Sequence, residues 1–310
     1  MTSATALGVV AVSIGASPAS AASEDTQEAV SQNWSGYVAG NSNFSSVSGS
    51  WVQPAAKCTS GQSQNYSAFW VGLGGASGKQ ALEQTGTQAD CTSDGQTEYY
   101  GWYELVPAAP VKLNLAIRPG DHISAKVNVS GTDVTIVLSD QTAGASVAKS
   151  LQMSSPDTSS AEWIAEAPST CTQDGSCQRL PLADFGTVTF TNSSATADGH
   201  TGSISDPSWN AQAVQLSNEG GSAGDVPTQI DYQQSGSAGA QPSSLSSDGS
   251  SFAVSWQASS SQTSTSGSDG YSGDGGYGDG GYGYGDGGWS GYGDGGWGAG
   301  SGYSISGFGY

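Results

Sequence analysis

Basic residues are scarce in this chain. Its 310 residues include 7 Lys and Arg against 27 Asp and Glu, which gives a formal net charge of −20 at neutral pH. A chain with so few cations cannot neutralise a row of phosphates, so nucleic acid is excluded as a partner, and anionic membrane surfaces with it. In acid, where carboxylates take up protons, the repulsion among these charges would disappear. The composition therefore fits a protein that works in acid, although an acidic surface chosen only for solubility would look the same.

Histidine is rarer still, with only two in the chain. His122 lies in a predicted hairpin and His200 in a predicted loop, and neither belongs to a nucleophile motif, so a Ser-His-Asp or Cys-His hydrolase has no base. The sequence has no His-Glu-x-x-His, no phosphate loop and no Asp-Thr-Gly or Asp-Ser-Gly pair. Zinc and aspartic peptidases are therefore excluded as well. No metal and no cofactor is expected, and carboxylates and amides remain as the candidate groups.

Long apolar runs are also missing, and the longest mildly apolar stretch, 6–16, is too short to cross a membrane. Small residues follow it, and their Ala-x-Ala ending predicts a signal-like segment over 1–21 with cleavage after Ala21. A short leader, 22–30, comes next. We therefore expect a secreted, extracellular protein.

Four cysteines in an exported chain predict two disulfides. Cys171 and Cys177 enclose a turn-like sequence that favours a local bridge, which leaves Cys58 to pair with Cys91. Three connectivities are possible, and locality favours this one. A metal site is the alternative, but the spacing matches no zinc pattern.

Alternating apolar and polar residues predict an all-β fold. Ile123, Ala125, Val127 and Val129 alternate with polar residues, Gly131 marks a turn, and the alternation resumes over 134–138. The segments 188–190 and 252–256 repeat the pattern, with Gly, Ser and Asn between the predicted strands. We expect a β-sandwich of two antiparallel sheets over 31–258.

The C-terminal segment, 259–310, has a different composition. Tyr-Gly-Asp-Gly-Gly occurs at 277–281, 284–288 and 292–296, among further glycines and aromatics. Such a low-complexity segment cannot build a packed core, so we expect a disordered tail. Calcium binding by the Asp-Gly repeats and adhesion through the aromatics are both open as roles for it.

The segment 161–166, Ala-Glu-Trp-Ile-Ala-Glu, carries the most suggestive carboxylates. In a strand, Glu162 and Glu166 point to the same face. They could form an exposed polar edge or, with Glu104 beside its aromatic neighbours, the acid and base of a glycosidase.

Several motifs, in order, resemble those of the glutamic peptidases (eqolisins). They are Asn33-Trp34-Ser35-Gly36, Trp70-Val71-Gly72, Leu82-Glu83-Gln84-Thr85-Gly86, Asp94-Gly95, Trp102-Tyr103-Glu104, the segment 161–166, Ala183-Asp184-Phe185-Gly186 and the segment 188–191. The resemblance covers roughly 32–256. It implies a secreted acid endopeptidase built as a β-sandwich, with protein or peptide substrates. The chain departs from the family at Leu73-Gly74-Gly75 and at Tyr100, where an Asp is common.

Position by position, the resemblance implies that Gln84 and Glu166 form the catalytic pair and that Trp34, Trp70 and Glu104 bind substrate. Core packing is the alternative for the two tryptophans. Glu166 is expected to act ionised, as a general base on a water that Gln84 holds. Burial would raise the pKa of Glu166, and hydrogen bonds to its ionised form would have to offset that effect.

Two other functions stay open on the sequence alone. One is a glycosidase or lectin-like carbohydrate-binding sandwich that uses the three glutamates. The other is a non-catalytic surface protein whose tail carries the function. For the peptidase, a monomer is expected.

Overall fold

The computed structural model describes residues 29–76, 81–171, 177–217 and 238–259, and all regular structure in these ranges is β. The strands in chain order are β1 (Ala29–Ser31), β2 (Trp34–Gly40), β3 (Phe44–Val52), β4 (Ala68–Gly74), β5 (Leu82–Cys91), β6 (Thr97–Val106), β7 (Val111–Ala116), β8 (His122–Ser130), β9 (Asp133–Asp140), β10 (Ala145–Gln152), β11 (Ser160–Glu166), β12 (Ser169–Cys171), β13 (Cys177–Arg179), β14 (Thr187–Ala197), β15 (His200–Ser203), β16 (Asn210–Leu216), β17 (Gly239–Pro242) and β18 (Phe252–Gln257). No helix that could span a membrane occurs in these ranges. The predicted signal-like segment, nearly all of the predicted leader and nearly all of the predicted tail lie outside the described residues.

Sixteen of these strands form one continuous ladder that folds over on itself, and β12 and β13 pair separately. The first sheet has the order β10-β9-β8-β3-β14-β18, and the second has the order β16-β2-β11-β4-β5-β6-β7, with β17 linking β18 to β16. Strands of the two sheets contact each other face to face, β5 with β8 and β9, and β3 with β4 and β11. The pairings along this path are antiparallel, and β1 is an exception because it pairs with β16 in parallel. The predicted β-sandwich is therefore confirmed.

The predicted hairpin at 122–138 is β8 and β9. Val127 pairs with Ile136 across it, and both side chains are fully buried between the sheets. The turn needs a left-handed residue, and Gly131 supplies it with a φ of 62°.

The central strands of the second sheet, β4, β5 and β11, are buried on both faces, which is uncommon in an antiparallel sheet. In β4, Phe69, Val71 and Leu73 belong to the core between the sheets. Ala68 and Trp70 point the other way, into a second group of buried side chains that we call the outer cluster. Its members are Trp34, Ala68, Trp70, Leu82, Trp102, Val106, Ile164 and Val214. This apolar layer lies beneath the candidate site.

The Cys58–Cys91 disulfide is present as predicted and closes a sequence separation of 33 residues. It ties the end of β5 to the segment that precedes β4. The β12–β13 ladder places the backbones of Cys171 and Cys177 opposite each other. The side chains of these two residues lie outside what the structure describes, so their bridge stays a prediction.

Candidate active site

Polar residues stand in register across the outer face of the second sheet. Glu162, Gly72, Gln84 and Glu104 are direct neighbours on β11, β4, β5 and β6. Glu166 lies four residues further along β11. Since every second residue of a strand faces the same side, the predicted catalytic pair shares this face.

A cleft of about 260 Å³ opens over this face. Its lining residues are Ala68, Gln84, Gln88, Glu98, Tyr100, Trp102, Glu104, Pro110, Lys112, Glu166 and Pro168. Three of the five predicted site residues, Gln84, Glu104 and Glu166, therefore line a single cleft.

The Gln84 side chain is held in one orientation. Its Nε2 donates a 2.8 Å hydrogen bond to Glu104 Oε2 on the adjacent strand. Its Oε1 is buried and accepts no hydrogen bond from the described residues. Gly72 gives the amide room, because a Cβ there would lie 3.2 Å from Gln84 Cβ and 2.9 Å from Trp70 Cζ3. The amide nitrogen is thus directed to Glu104, and the amide oxygen is left to bind something in the cleft.

The Glu166 carboxyl is only 2% exposed and is held by two side-chain donors. Trp70 Nε1 donates to Oε2 at 2.7 Å, and Asn33 Nδ2 donates to Oε1 at 3.0 Å. The Trp34 indole also lowers the pKa of this carboxyl, although its N–H does not reach hydrogen-bond geometry with any described residue. Both oxygens of the carboxyl are therefore fixed in place at the edge of the cleft.

Burial controls the protonation state of Glu166. Loss of solvent raises the pKa of its carboxyl to about 8, although the hydrogen bonds from Trp70 and Asn33 lower it. The sequence led us to expect donors strong enough to keep this group ionised in acid, and that expectation is wrong. In acid the resting carboxyl is protonated, which makes it a proton donor as well as an acceptor.

The two predicted tryptophans lie beneath the cleft rather than along it. Trp34 and Trp70 are 4% and 0% exposed, and their rings meet edge to face with centroids 5.1 Å apart. Trp70 positions the Glu166 carboxyl, so its indole donates a hydrogen bond in addition to packing in the outer cluster. Substrate binding by either ring stays a prediction.

Glu162 does not line the cleft. It is 0% exposed, and its carboxyl oxygens have no hydrogen-bond partner among the described residues. Burial raises its pKa well above the usual value, and the nearby carboxyls of Glu83 and Asp157 raise it further. Glu162 and Glu166 therefore share a strand face but do not meet in one cleft as a carboxylate pair.

Three residues of the site were not identified from the sequence. Asn33, which bonds Glu166, is in a quoted motif, but nothing in the sequence connects it with a residue on β11. Trp102 lines the cleft with a buried indole N–H that has no partner in the described part of the chain. Lys112 lies at the far end of the cleft, and the alternation over 111–115 could have placed it on this face. Among the described residues, no group of three His, Cys, Asp or Glu side chains could hold a metal ion.

The sequence is similar to characterised peptidases. A model of the Peptidase A4 family matches residues 32–239. Scytalidopepsin B from Scytalidium lignicola is 34% identical over 194 residues, which cover 60% of this chain and 70% of the relative. Aspergillopepsin-2 from Aspergillus niger is 30% identical over 203 residues, which cover 58% of this chain and 70% of the relative.

The fold is similar to solved structures of the same kind. Scytalido-glutamic peptidase with a transition state analog inhibitor superposes with a TM-score of 0.55 at 31% identity, covering 73% of this chain and 98% of that one. SCP-B, an eqolisin in complex with the tripeptide Ala-Ile-His, gives 0.52 at 30% identity with the same coverage. The family model spans well over half of this chain, and the ordered motifs agree with it. The chain therefore belongs to the Peptidase A4 family, the glutamic peptidases or eqolisins.

Proposed function

We propose that this glutamic peptidase is an acid endopeptidase whose catalytic pair is Gln84 and Glu166. One observation carries the assignment: both side chains line the same cleft, and each is oriented by a buried partner. Gln84 is a suitable companion for a carboxyl group because its amide supplies a donor and an acceptor without titrating. Two carboxyls in contact would instead have to share a proton.

The first half of the reaction adds water to the scissile carbonyl. Gln84 Oε1 accepts a hydrogen bond from the water, while the second N–H of its amide stabilises charge on the carbonyl oxygen. Glu166 starts protonated because its pKa is about 8. Its O–H protonates the carbonyl oxygen, and its other oxygen takes a proton from the attacking water. The new C–O bond gives a geminal diol, and Glu166 ends this half protonated again.

The second half breaks the peptide bond. Glu166 gives its proton to the leaving nitrogen, the C–N bond breaks, and one diol hydroxyl returns a proton to Glu166. The products are a carboxylic acid and an amine, and the enzyme is restored without a metal or cofactor. Trp70 and Asn33 hold the carboxyl in place through both halves, so they act as positioning residues.

Glu104 acts through Gln84 in this scheme. Its Oε2 accepts a hydrogen bond from the Gln84 amide, and this bond keeps the Gln84 side chain from rotating. We therefore assign it a positioning role beside the substrate-binding role that the family resemblance implies.

A digestion assay tests the proposed function. Purified protein should release peptides from denatured casein in acid, and it should leave a panel of polysaccharides intact. The variant Gln84→Ala serves as the matched blank for contaminating proteases. Cleavage of a polysaccharide without release of peptides would favour the glycosidase alternative and contradict the proposal.

We further propose that the protein is exported and acts as a monomeric catalytic domain over 31–258, with neither nucleic acid nor membrane as a partner. The Cys58–Cys91 disulfide supports export, because such bonds persist in oxidising compartments. The net charge of −20 supports the exclusion of nucleic acid. Detection of the processed chain in the culture medium would test export.

A further inference from the structure

Lys112 is the only cationic side chain among the described residues that line the cleft. It extends from the edge strand β7, where Lys112 and Trp102 are register partners. Leu113 and Leu115 on the same strand point into the core, so the alternation directs Lys112 to the outer face. In a chain with only 7 basic residues, a lysine in the cleft is notable.

The Lys112 ammonium has no carboxylate partner within the described part of the chain. It forms no ion pair there, and its Nζ lies 4.2 Å from the centroid of the Tyr100 ring. Tyr100 is itself anchored, since its hydroxyl donates to Asp90 Oδ2 at 3.3 Å. The aromatic ring therefore holds the cation at the cleft without neutralising it. The position of Tyr100 is one of those where this chain departs from the Asp common in the family.

We propose that Lys112 and Tyr100 form a subsite for an anionic substrate side chain, and this inference rests on the proposed peptidase function. Glutamate and aspartate side chains of substrates are ionised only in the upper part of the acid range. The subsite therefore favours an acidic residue in weak acid and loses this preference in stronger acid.

Sheet geometry places this subsite along the peptide. Gln84 is on β5 and Lys112 on β7, two strand spacings away, or roughly 10 Å. An extended peptide that crosses the strands advances about 3.3 Å per residue. The preferred acidic residue therefore lies about three residues from the scissile bond.

Besides Lys112, the described cleft lining contains three carboxyl groups; those of Glu104 and Glu166 are buried, which leaves Glu98 to compete with a substrate for the cation. Glu98 is exposed and lines the same cleft as Lys112, without forming an ion pair with it. As a carboxylate it would repel an acidic substrate residue. The variant Glu98→Gln should therefore increase the preference that Lys112 creates.

Paired peptides that differ by Glu against Gln at one position test the subsite. In the variant Glu166→Gln, which should bind without cleaving, the Glu peptide should have about a two- to fivefold lower Kd in weak acid, the range of a partly exposed ion pair. A peptide with cysteic acid at the same position, whose sulfonate is ionised throughout the acid range, should keep this advantage in stronger acid. Adding Lys112→Gln should abolish the preference without weakening the binding of the Gln peptide. The same change at Lys126, on the first sheet, should leave the preference intact.

The kcat/KM of the parent enzyme for the same peptides is the second measurement. If the Gln peptides are bound but never cleaved, the proposed function fails while the binding ratio still reports on the subsite. Equal affinity for the anionic and neutral peptides at every position overturns the subsite. So does a preference that persists in Lys112→Gln.

Discussion

Trp70 Nε1 donates a 2.7 Å hydrogen bond to Glu166 Oε2, although the two residues are 96 positions apart in the chain. The register explains the contact: Glu166 pairs with Ala68, and Trp70 is the next residue of β4 on the same face. The ring also reaches the space over Gly72, beside Gln84 Cβ. One tryptophan thus lies between the two proposed catalytic residues.

Trp70→Phe should lower kcat about tenfold, because the ring is kept and only the donor to Glu166 is lost. The same hydrogen bond lowers the pKa of Glu166, so its removal should raise that pKa further. Carbon-13 NMR of labelled glutamate would report the protonation state of Glu166 in the parent and in the variant. The Glu166 carboxyl signal should stay at its protonated position throughout the acid range in the parent and in the variant. Ionisation near the usual value of 4.5 would contradict the account.

Glu104→Ala should reduce kcat about tenfold, because the Gln84 amide loses the acceptor that orients it. Glu104→Gln, which keeps an acceptor oxygen, should recover most of the loss. Steady-state kinetics on one peptide would distinguish a positioning role of Glu104 from a role in substrate binding alone. A rise in KM with unchanged kcat would instead assign Glu104 to substrate binding alone.

The folded domain should lose stability as pH rises towards neutral. Burial raises the pKa of Glu83, Asp90 and Glu166 to about 8, and that of Glu162 well above its usual value. In the unfolded chain these carboxyls ionise near their ordinary pKa. The stability that their protonated forms provide is therefore complete below about pH 4. It is lost as pH rises towards about 8, at about 1.4 kcal/mol per group and pH unit.

Glu162→Gln tests this linkage with a side chain that cannot ionise. An unperturbed glutamate has a pKa of 4.5, and the pKa of Glu162 in the folded protein is far higher. At about pH 6 the variant should therefore gain about 2 kcal/mol of unfolding free energy relative to the parent, whereas at about pH 4 the two should differ little. Urea unfolding at both pH values gives the comparison. An equal effect at both pH values would contradict a raised pKa of Glu162 in the folded protein.

Deletion of everything after Ala258 should leave folding and casein cleavage nearly unchanged. Ile305 is the only Val, Leu or Ile after Val254, so the segment 259–310 offers little to bury. Thermal unfolding and casein hydrolysis of the shortened chain would check this. A large fall in melting temperature would show that the segment packs on the domain.

The sequence predicted the strands better than the chemistry of the site. Alternation located β8, β9 and the face that Glu162 and Glu166 share, because side-chain direction in a strand has a period of two. It could not place Asn33 beside Glu166, because that contact depends on the register between β2 and β11. The protonation state of Glu166 was missed for a related reason. Burial of β11 on both faces is a tertiary property, and its effect on the pKa of Glu166 outweighs that of the hydrogen-bond donors.

The most direct test of the catalytic pair compares Glu166→Gln with Glu162→Gln in acid. The two positions share a strand and a face, but only Glu166 lines the cleft. We predict that kcat/KM for a peptide falls at least about a hundredfold in Glu166→Gln and in Gln84→Ala. Glu162→Gln should stay within a few fold of the parent, and all three should fold in acid. An active Glu166→Gln beside an inactive, folded Glu162→Gln would contradict the assignment.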